Sequence, residues 1–233
     1  MKARSISRFI AAGLALACLA ASSPLAEARD GFESIFDGKS LKGWRGNNQF
    51  WSVRDGAITG ETTEKNPTDH NTFLIFQGNV ADFELRLKMR ILAGNSGIQY
   101  RSIDLGDAVV QGYQADIDAE GKFIGDLYEE RGRGLLAKWG EKVEIGEDGK
   151  RTVVGQTTDR DKVTKAMRWN DWNEYRVTAK GHRLVQQVNG FKTTEVVDRE
   201  VKKSRTEGVL ALQLHAGPPM LVQFKDVQLR RLR

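Results

Sequence analysis

Residues 83 to 90 read Phe-Glu-Leu-Arg-Leu-Lys-Met-Arg, an unbroken alternation of apolar and charged side chains. An extended strand with one buried face satisfies that period, because successive side chains point to opposite sides. Phe83, Leu85, Leu87 and Met89 then share one face, and Glu84, Arg86, Lys88 and Arg90 the other. A helix would scatter the same residues around its surface. The rest of the chain repeats the pattern in shorter runs, at residues 50–54, 73–76, 97–101, 112–118, 123–130, 172–179, 183–188, 208–215 and 220–229. Asp55-Gly56 and Asn189-Gly190 are hairpin dipeptides, since both of their residues tolerate positive φ. Many short strands punctuated by such turns predict an all-β sandwich or barrel. The one helix expected is short, near residues 198–204. Residues 138–167, rich in Glu, Lys, Asp, Gly and Thr, read as a long surface excursion with its own hairpin.

The first residues read as an address. Lys2, Arg4 and Arg8 precede an apolar, small-residue run at 9–21, broken by Ser22-Ser23-Pro24, and Ala26-Glu27-Ala28 fits a small-x-small cleavage site. The run is too short to anchor in a bilayer. A lipoprotein leader would need a Leu-rich box before Cys18, which Ala15-Leu16-Ala17 does not provide. Residues 1–28 are therefore expected to be a signal peptide, and residues 29–233 a single domain, periplasmic or secreted. The sole cysteine, Cys18, would leave with the leader, so no disulfide is expected and stability must come from packing. No later segment is long and apolar enough to span a membrane. The 36 basic and 31 acidic residues are interspersed. The clusters at 202–205 and 230–233 read as a solvated turn and a charged tail, not as the broad basic face that nucleic acid requires.

Strand parity sorts the polar residues. Gln99 and Arg101 oppose Ile98 and Tyr100. Gln114, Asp116 and Asp118 oppose Tyr113, Ala115 and Ile117. Tyr128 and Glu130 oppose Leu127 and Glu129. Gln213 and His215 oppose Leu210, Leu212 and Leu214. If these strands are neighbours, amides, carboxylates, an Arg and an imidazole converge on one face, the planar bidentate groups that sugar hydroxyls need. His70 lies in a loop at 61–71 that also holds Glu61, Glu64 and Asp69 and borders the same face; His182 lies in a turn. No residue pair has zinc-ligand spacing. The only cofactor the residues suggest is a divalent cation such as calcium, from the loose carboxylate run at 116–121. Trp51 and Trp172 read as core, Trp44 and Trp169 as loop residues, and Trp139 as the indole best placed to stack on a sugar.

Certain segments, in their order, carry a resemblance: Phe36-Asp37-Gly38-Lys39-Ser40-Leu41-Lys42-Gly43-Trp44, Trp51-Ser52-Val53-Arg54-Asp55-Gly56, Asn95-Ser96-Gly97-Ile98-Gln99-Tyr100-Arg101, Gly112-Tyr113-Gln114, Trp172-Asn173-Glu174-Tyr175 and Gly208 through His215. The chain resembles the bacterial 3-keto-disaccharide hydrolase family, long known as a domain of unknown function. The resemblance implies a concanavalin A-like jelly-roll β-sandwich of two antiparallel sheets with a concave binding face. It also implies a carbohydrate substrate, a glycoside already oxidised to a ketone at C3. That chemistry asks for a base near C2, a polariser of the ketone and a proton donor to the leaving oxygen; a divalent cation is one such polariser. Where many members have Gly-Tyr-Glu, this chain has Gly112-Tyr113-Gln114. The roles then expected are His215 or Asp116 as base, Glu129 or Tyr128 as acid, Arg101 and Gln213 on the ketone or hydroxyls, and Gln99 and Gln114 fixing the sugar, with Trp139 against it. Two alternatives remain on the sequence: a non-catalytic carbohydrate-binding module or lectin on the same fold, and an ordinary glucanase using Asp116 and Asp118 as its paired carboxylates.

Overall fold

The alternation at 83–90 is realised in the Phe83–Ala93 strand of the computed structural model, which describes residues 31–233. Phe83, Leu85, Leu87 and Met89 are each no more than 2% exposed, while Lys88 faces solvent. The expected leader and Cys18 lie outside the described residues. The Phe83–Ala93 strand runs inside a ten-stranded sheet ordered Arg151–Gln156, Glu141–Ile145, Phe191–Asp198, Arg183–Val188, Asn173–Lys180, Phe83–Ala93, Leu221–Arg231, Ala57–Glu61, Trp51–Arg54, with Glu33–Ser34 added along Leu221–Arg231. A seven-stranded sheet is ordered Gly134–Ala137, Leu127–Glu130, Val109–Asp118, Asn95–Gly106, Gly208–Leu214, Thr72–Val80, Trp44–Arg45. Pairing is antiparallel except between Glu141–Ile145 and Phe191–Asp198, which run parallel. The two sheets form the expected sandwich. Both hairpin dipeptides adopt positive φ, at 50° and 73° for Asp55 and Gly56 and at 48° and 81° for Asn189 and Gly190.

One face of each sheet supplies the core. Leu87, Met89, Tyr175 and Val177 from one sheet pack in the same cluster as Ile98, Tyr100, Tyr113, Leu212 and Leu214 from the other. Each such side chain contributes roughly 1.5–3 kcal/mol by leaving water. Tyr100 and Tyr113 stack with ring centroids 5.6 Å apart. The other face of the seven-stranded sheet carries the polar set and a smaller buried cluster of Phe73, Ile75, Val110, Val209 and Ala211. Among the described residues no helix is long and apolar enough to cross a membrane.

Four expectations are corrected. Residues 138–167 are not a free excursion: Glu141–Ile145 and Arg151–Gln156 form a hairpin that extends the larger sheet, because Val143 and Ile145 alternate inward and are buried. The helix is Arg160–Ala166, capped by the Asp159 carboxylate and anchored by buried Val163. Residues 198–204 make a turn instead, because the Asp198 carboxylate is taken by Tyr113 and Arg133. Trp172 shares the parity of Glu174, not of inward Tyr175, so it lies half-buried on the outer surface, 4.9 Å from the Arg90 guanidinium and 4.0 Å from the Lys225 ammonium. Trp51 is core, and so is Trp44, whose Nε1 donates to Ile35 O at 2.7 Å.

Candidate functional site

The outer face of the seven-stranded sheet bears a cleft of about 720 Å³. Three adjacent strand pairs build its floor. Gln114 stands opposite Tyr128 in the ladder, Gln99 opposite Gln114, and Ala211 opposite Gln99, which brings the inner polar residues of each strand into one row. Gln114, Asp116, Tyr128, Glu130, Gln213 and His215 all line the cleft. Gln99 is fully buried beneath it and serves as support. Ser102 Oγ donates to Gln99 Oε1 at 2.8 Å, Gln99 Nε2 donates to Gln114 Oε1 at 2.6 Å, and Gln114 Nε2 donates to Asp116 Oδ1 at 2.6 Å. Gly97 makes room for this row, since a Cβ there would come within 2.5 Å of Gln114 Cδ.

Burial dominates the electrostatics. Asp116 is 8% exposed, and removal from water, with Asp126, Asp118 and Glu130 nearby, pushes its carboxyl up to about 8 against the pull of the Gln114 amide. Asp126 is pushed up to about 6, again by burial, although it accepts the Trp139 backbone N–H at 2.6 Å and feels Arg160. Glu130 is clamped at the far side: Asn71 Nδ2 donates to its Oε1 at 3.1 Å and Gln213 Nε2 to its Oε2 at 3.5 Å. The Asn71 Oδ1 in turn accepts the Ala216 N–H at 3.0 Å, fixing the loop that carries His215. Gln213 Oε1 is buried with no partner among the described residues, an acceptor waiting for a donor.

Two expected site residues lie elsewhere. Arg101 departs from strand parity. It sits in a β-bulge, with φ 48°, where Arg101 and Ser102, between paired Tyr100 and Ile103, stand against the single residue Gly112 between their partners Tyr113 and Gln111. Its fully buried guanidinium donates to Ala81 O, Gly181 O and the Asp82 carboxylate at 2.6–2.8 Å, at the sandwich edge. Glu129 has the parity of core Leu127, so it points away from the cleft and pairs with Arg133 at 2.6 Å in a network with Asp198 and Glu200. Trp139 is a wall rather than an open platform, 8% exposed with the Arg160 guanidinium 5.5 Å from its ring. His215 is exposed just past the end of its strand, its Nδ1 2.5 Å from Ala216 O. Of the 61–71 loop only Asn71 reaches the cleft. His70 is exposed beside Asp69, and His182 bonds Asp198 O. Glu130 was legible, as it shares the parity of Tyr128. Asn71, Asp126 and Arg160 had no pattern to give them away.

The residues at 116–121 do not fit a calcium ion. Asp118 accepts the backbone N–H groups of Lys122, Phe123 and Ile124 at 2.8–2.9 Å, Asp116 is tied to Gln114, and Glu120 pairs with Lys122. Both Asp118 oxygens and one oxygen each of Asp116 and Glu120 are thus taken, and among the described residues no group of three or more His, Cys, Asp or Glu is placed to hold a metal ion.

A family described as the 3-keto-alpha-glucoside-1,2-lyase-like domain matches residues 31–230. The chain belongs to that family. A 3-keto-disaccharide hydrolase of Bacteroides thetaiotaomicron is 36% identical over 83 residues, a match that takes in 30% of this chain and 27% of that protein, so it spans only about a quarter of the relative's length. A candidate glycosyl hydrolase from Parabacteroides distasonis superposes with a TM-score of 0.57 at 20% identity, over 87% of this chain and 94% of that one. The carbohydrate-binding module CBM66 from Bacillus subtilis gives 0.53 at 17% identity, over 81% and 95%. At these identities the two structures share the fold of the family domain, a β-sandwich on which both a binding module and a candidate hydrolase are built.

Proposed function

We propose that this family member cleaves 3-keto-glycosides in the cleft, by elimination across C1 and C2 followed by addition of water, after export by its leader. The observation that carries the reading is the raised Asp116 carboxyl on a floor of amides and a second, clamped carboxylate. A ketone at C3 acidifies the C2 proton. A carboxylate whose pKa is drawn up toward neutrality is a much stronger base than an ordinary aspartate, yet still deprotonates near physiological pH. In the proposed step Asp116 takes the C2 proton, the C–H electrons form an enolate onto the C3 oxygen, and the C1–O bond breaks as the enolate collapses. Tyr128 delivers the proton that the leaving oxygen needs. Gln213, through its unpartnered Oε1, accepts a sugar hydroxyl, and Gln114 and Glu130 hold the remaining hydroxyls. His215, at the rim, is left as a contact to the sugar instead of the base, because it stands in solvent outside the buried row. Water then adds across the C1–C2 double bond to complete net hydrolysis.

The test is to incubate the protein with a 3-keto-glucoside and with its unoxidised parent, with and without a chelator. Cleavage of the keto form alone supports the proposal, and it should fall by about a thousandfold in Asp116→Asn. Glu130→Gln should lower turnover with folding intact. Binding of either sugar with no turnover would replace the proposal with a lectin, and cleavage of the plain glucoside would replace it with a glucanase.

A further inference from the structure

The cleft has two unlike halves. Gln114, Asp116, Glu130 and Gln213 make a hydrogen-bonding half. In the other half, Phe123 and Leu135 are 50% and 40% exposed, and Trp139 forms the wall beside them. Large apolar side chains this open, gathered inside one hollow next to a polar floor, mark a surface built to be covered. The rim above them is cationic, made of Lys122, Lys138 and Arg160. Arg160 donates to Gly121 O at 2.6 Å while lying over the Trp139 ring, which ties the rim to the wall. Lys122 is paired with Glu120 at 2.5 Å. Lys138 is exposed and is anchored through its backbone N–H, which donates to Glu141 Oε2 at 2.8 Å, so its ammonium is available to a ligand.

A second sugar would need hydrogen-bond partners for the hydroxyls at its ring edge, and Phe123, Leu135 and the Trp139 wall offer it only an apolar face. A flat ring would cover Phe123 and Leu135, and a negative charge on it would meet the rim. We infer that this half of the cleft is the leaving-group subsite and that it takes an aromatic aglycone bearing an acidic substituent in preference to a second sugar. The inference rests on the keto-glycoside reading for the bond that breaks; the ring-binding surface stands on its own lining.

Two measurements test it separately. In the first, 4-hydroxybenzoate and 4-hydroxybenzamide are titrated into the protein by calorimetry. The acid should bind about fivefold more tightly, the gap should close in Lys138→Ala, and both should weaken about tenfold in Phe123→Ala. In the second, kcat/KM is compared for 3-keto-glucosides of those two phenols and for a 3-keto-disaccharide. The acidic aryl substrate should lead, and its ratio to the disaccharide should fall in Phe123→Ala. Absence of ring binding, or a disaccharide preference that Phe123→Ala leaves unaltered, would overturn the inference. Ring binding lost in Phe123→Ala, with no turnover of any keto substrate, would support the subsite and sink the reaction instead.

Discussion

Gln114 Nε2 donates to Asp116 Oδ1 at 2.6 Å, two residues along the same strand and on the same face. The bond is the last link of a one-way row. The Ser102 hydroxyl donates into Gln99, Gln99 into Gln114, and Gln114 into Asp116. Each amide is thereby turned so that its NH₂ group points toward the carboxyl. Burial favours the neutral acid, while this row favours the carboxylate, and burial wins without wholly cancelling the row.

Removing the last donor should therefore move the proton affinity of Asp116 further up. As the base, Asp116 works in its ionised form, so kcat/KM should rise with pH toward a plateau above about 8. In Gln114→Leu that rise should shift to higher pH. A profile of kcat/KM on a 3-keto-glucoside from pH 5 to 10 checks this, with circular dichroism to confirm folding. An unshifted or downward-shifted limb would remove Gln114 from control of the base.

The same carboxyl predicts a stability signature that needs no substrate. In the unfolded chain Asp116 ionises near its ordinary 3.8, whereas in the fold it holds its proton to about 8. Between those values the native state binds a proton that the unfolded state has released. Rising pH therefore costs stability across that window, at up to about 1.4 kcal/mol per pH unit, and the loss is complete above the upper value. Asp126, raised to about 6, adds a loss of the same sign in the lower part of the window. In Asp116→Asn the decline between pH 5 and 8 should be shallower than in the wild type. Urea midpoints measured at half-unit intervals decide it, and parallel curves would mean that Asp116 ionises normally in the fold.

Arg101 should prove to be a structural residue. Its guanidinium is fully buried and is spent on three backbone carbonyls, those of Ala81, Gly181 and Arg205, and on the Asp82 carboxylate, which itself also accepts the Gly181 N–H at 2.9 Å. Arg101→Met leaves those acceptors without their donor and should cost about 3 kcal/mol or more in denaturant unfolding. At a temperature where the variant is folded, KM for the keto substrate should stay near the wild-type value. A large KM effect with little loss of stability would return Arg101 to the cleft.

Parity made most of the floor legible. Gln114, Asp116, Tyr128 and Gln213 face one way because their strands are regular, and Leu85, Leu87 and Leu212 face the other way for the same reason. It fails at Arg101 because one extra residue in a bulge reverses every expectation beyond it, and neither Tyr100 nor Arg101 signals a bulge in the way glycine can. Glu129 illustrates a different limit. Its parity was plain, but an acid on the core side is tolerated only where Arg133 arrives from four residues on, a tertiary fact. Asn71 and Arg160 enter the cleft from a loop and a helix whose positions are set by packing, which no period in the sequence encodes.

Gly97 provides the sharpest test of the floor. It stands directly opposite Asp116 in the ladder, and the Gln114 side chain crosses over it. A Cβ at Gly97 would lie 2.5 Å from both Cγ and Cδ of Gln114 and 2.9 Å from its Nε2, all three of them atoms of one buried side chain. That side chain is held at both ends, by Gln99 and by Asp116, so it cannot yield without breaking those bonds. Gly97→Ala should therefore cost about 1–3 kcal/mol through overpacking and should depress turnover much as Gln114→Ala does. Adding Gln114→Ala to Gly97→Ala removes the clash. The double variant should then be more stable than Gly97→Ala alone, a coupling that independent sites do not show. Additive losses in the cycle would mean that the glycine is required by its own backbone and not by the amide lying across it.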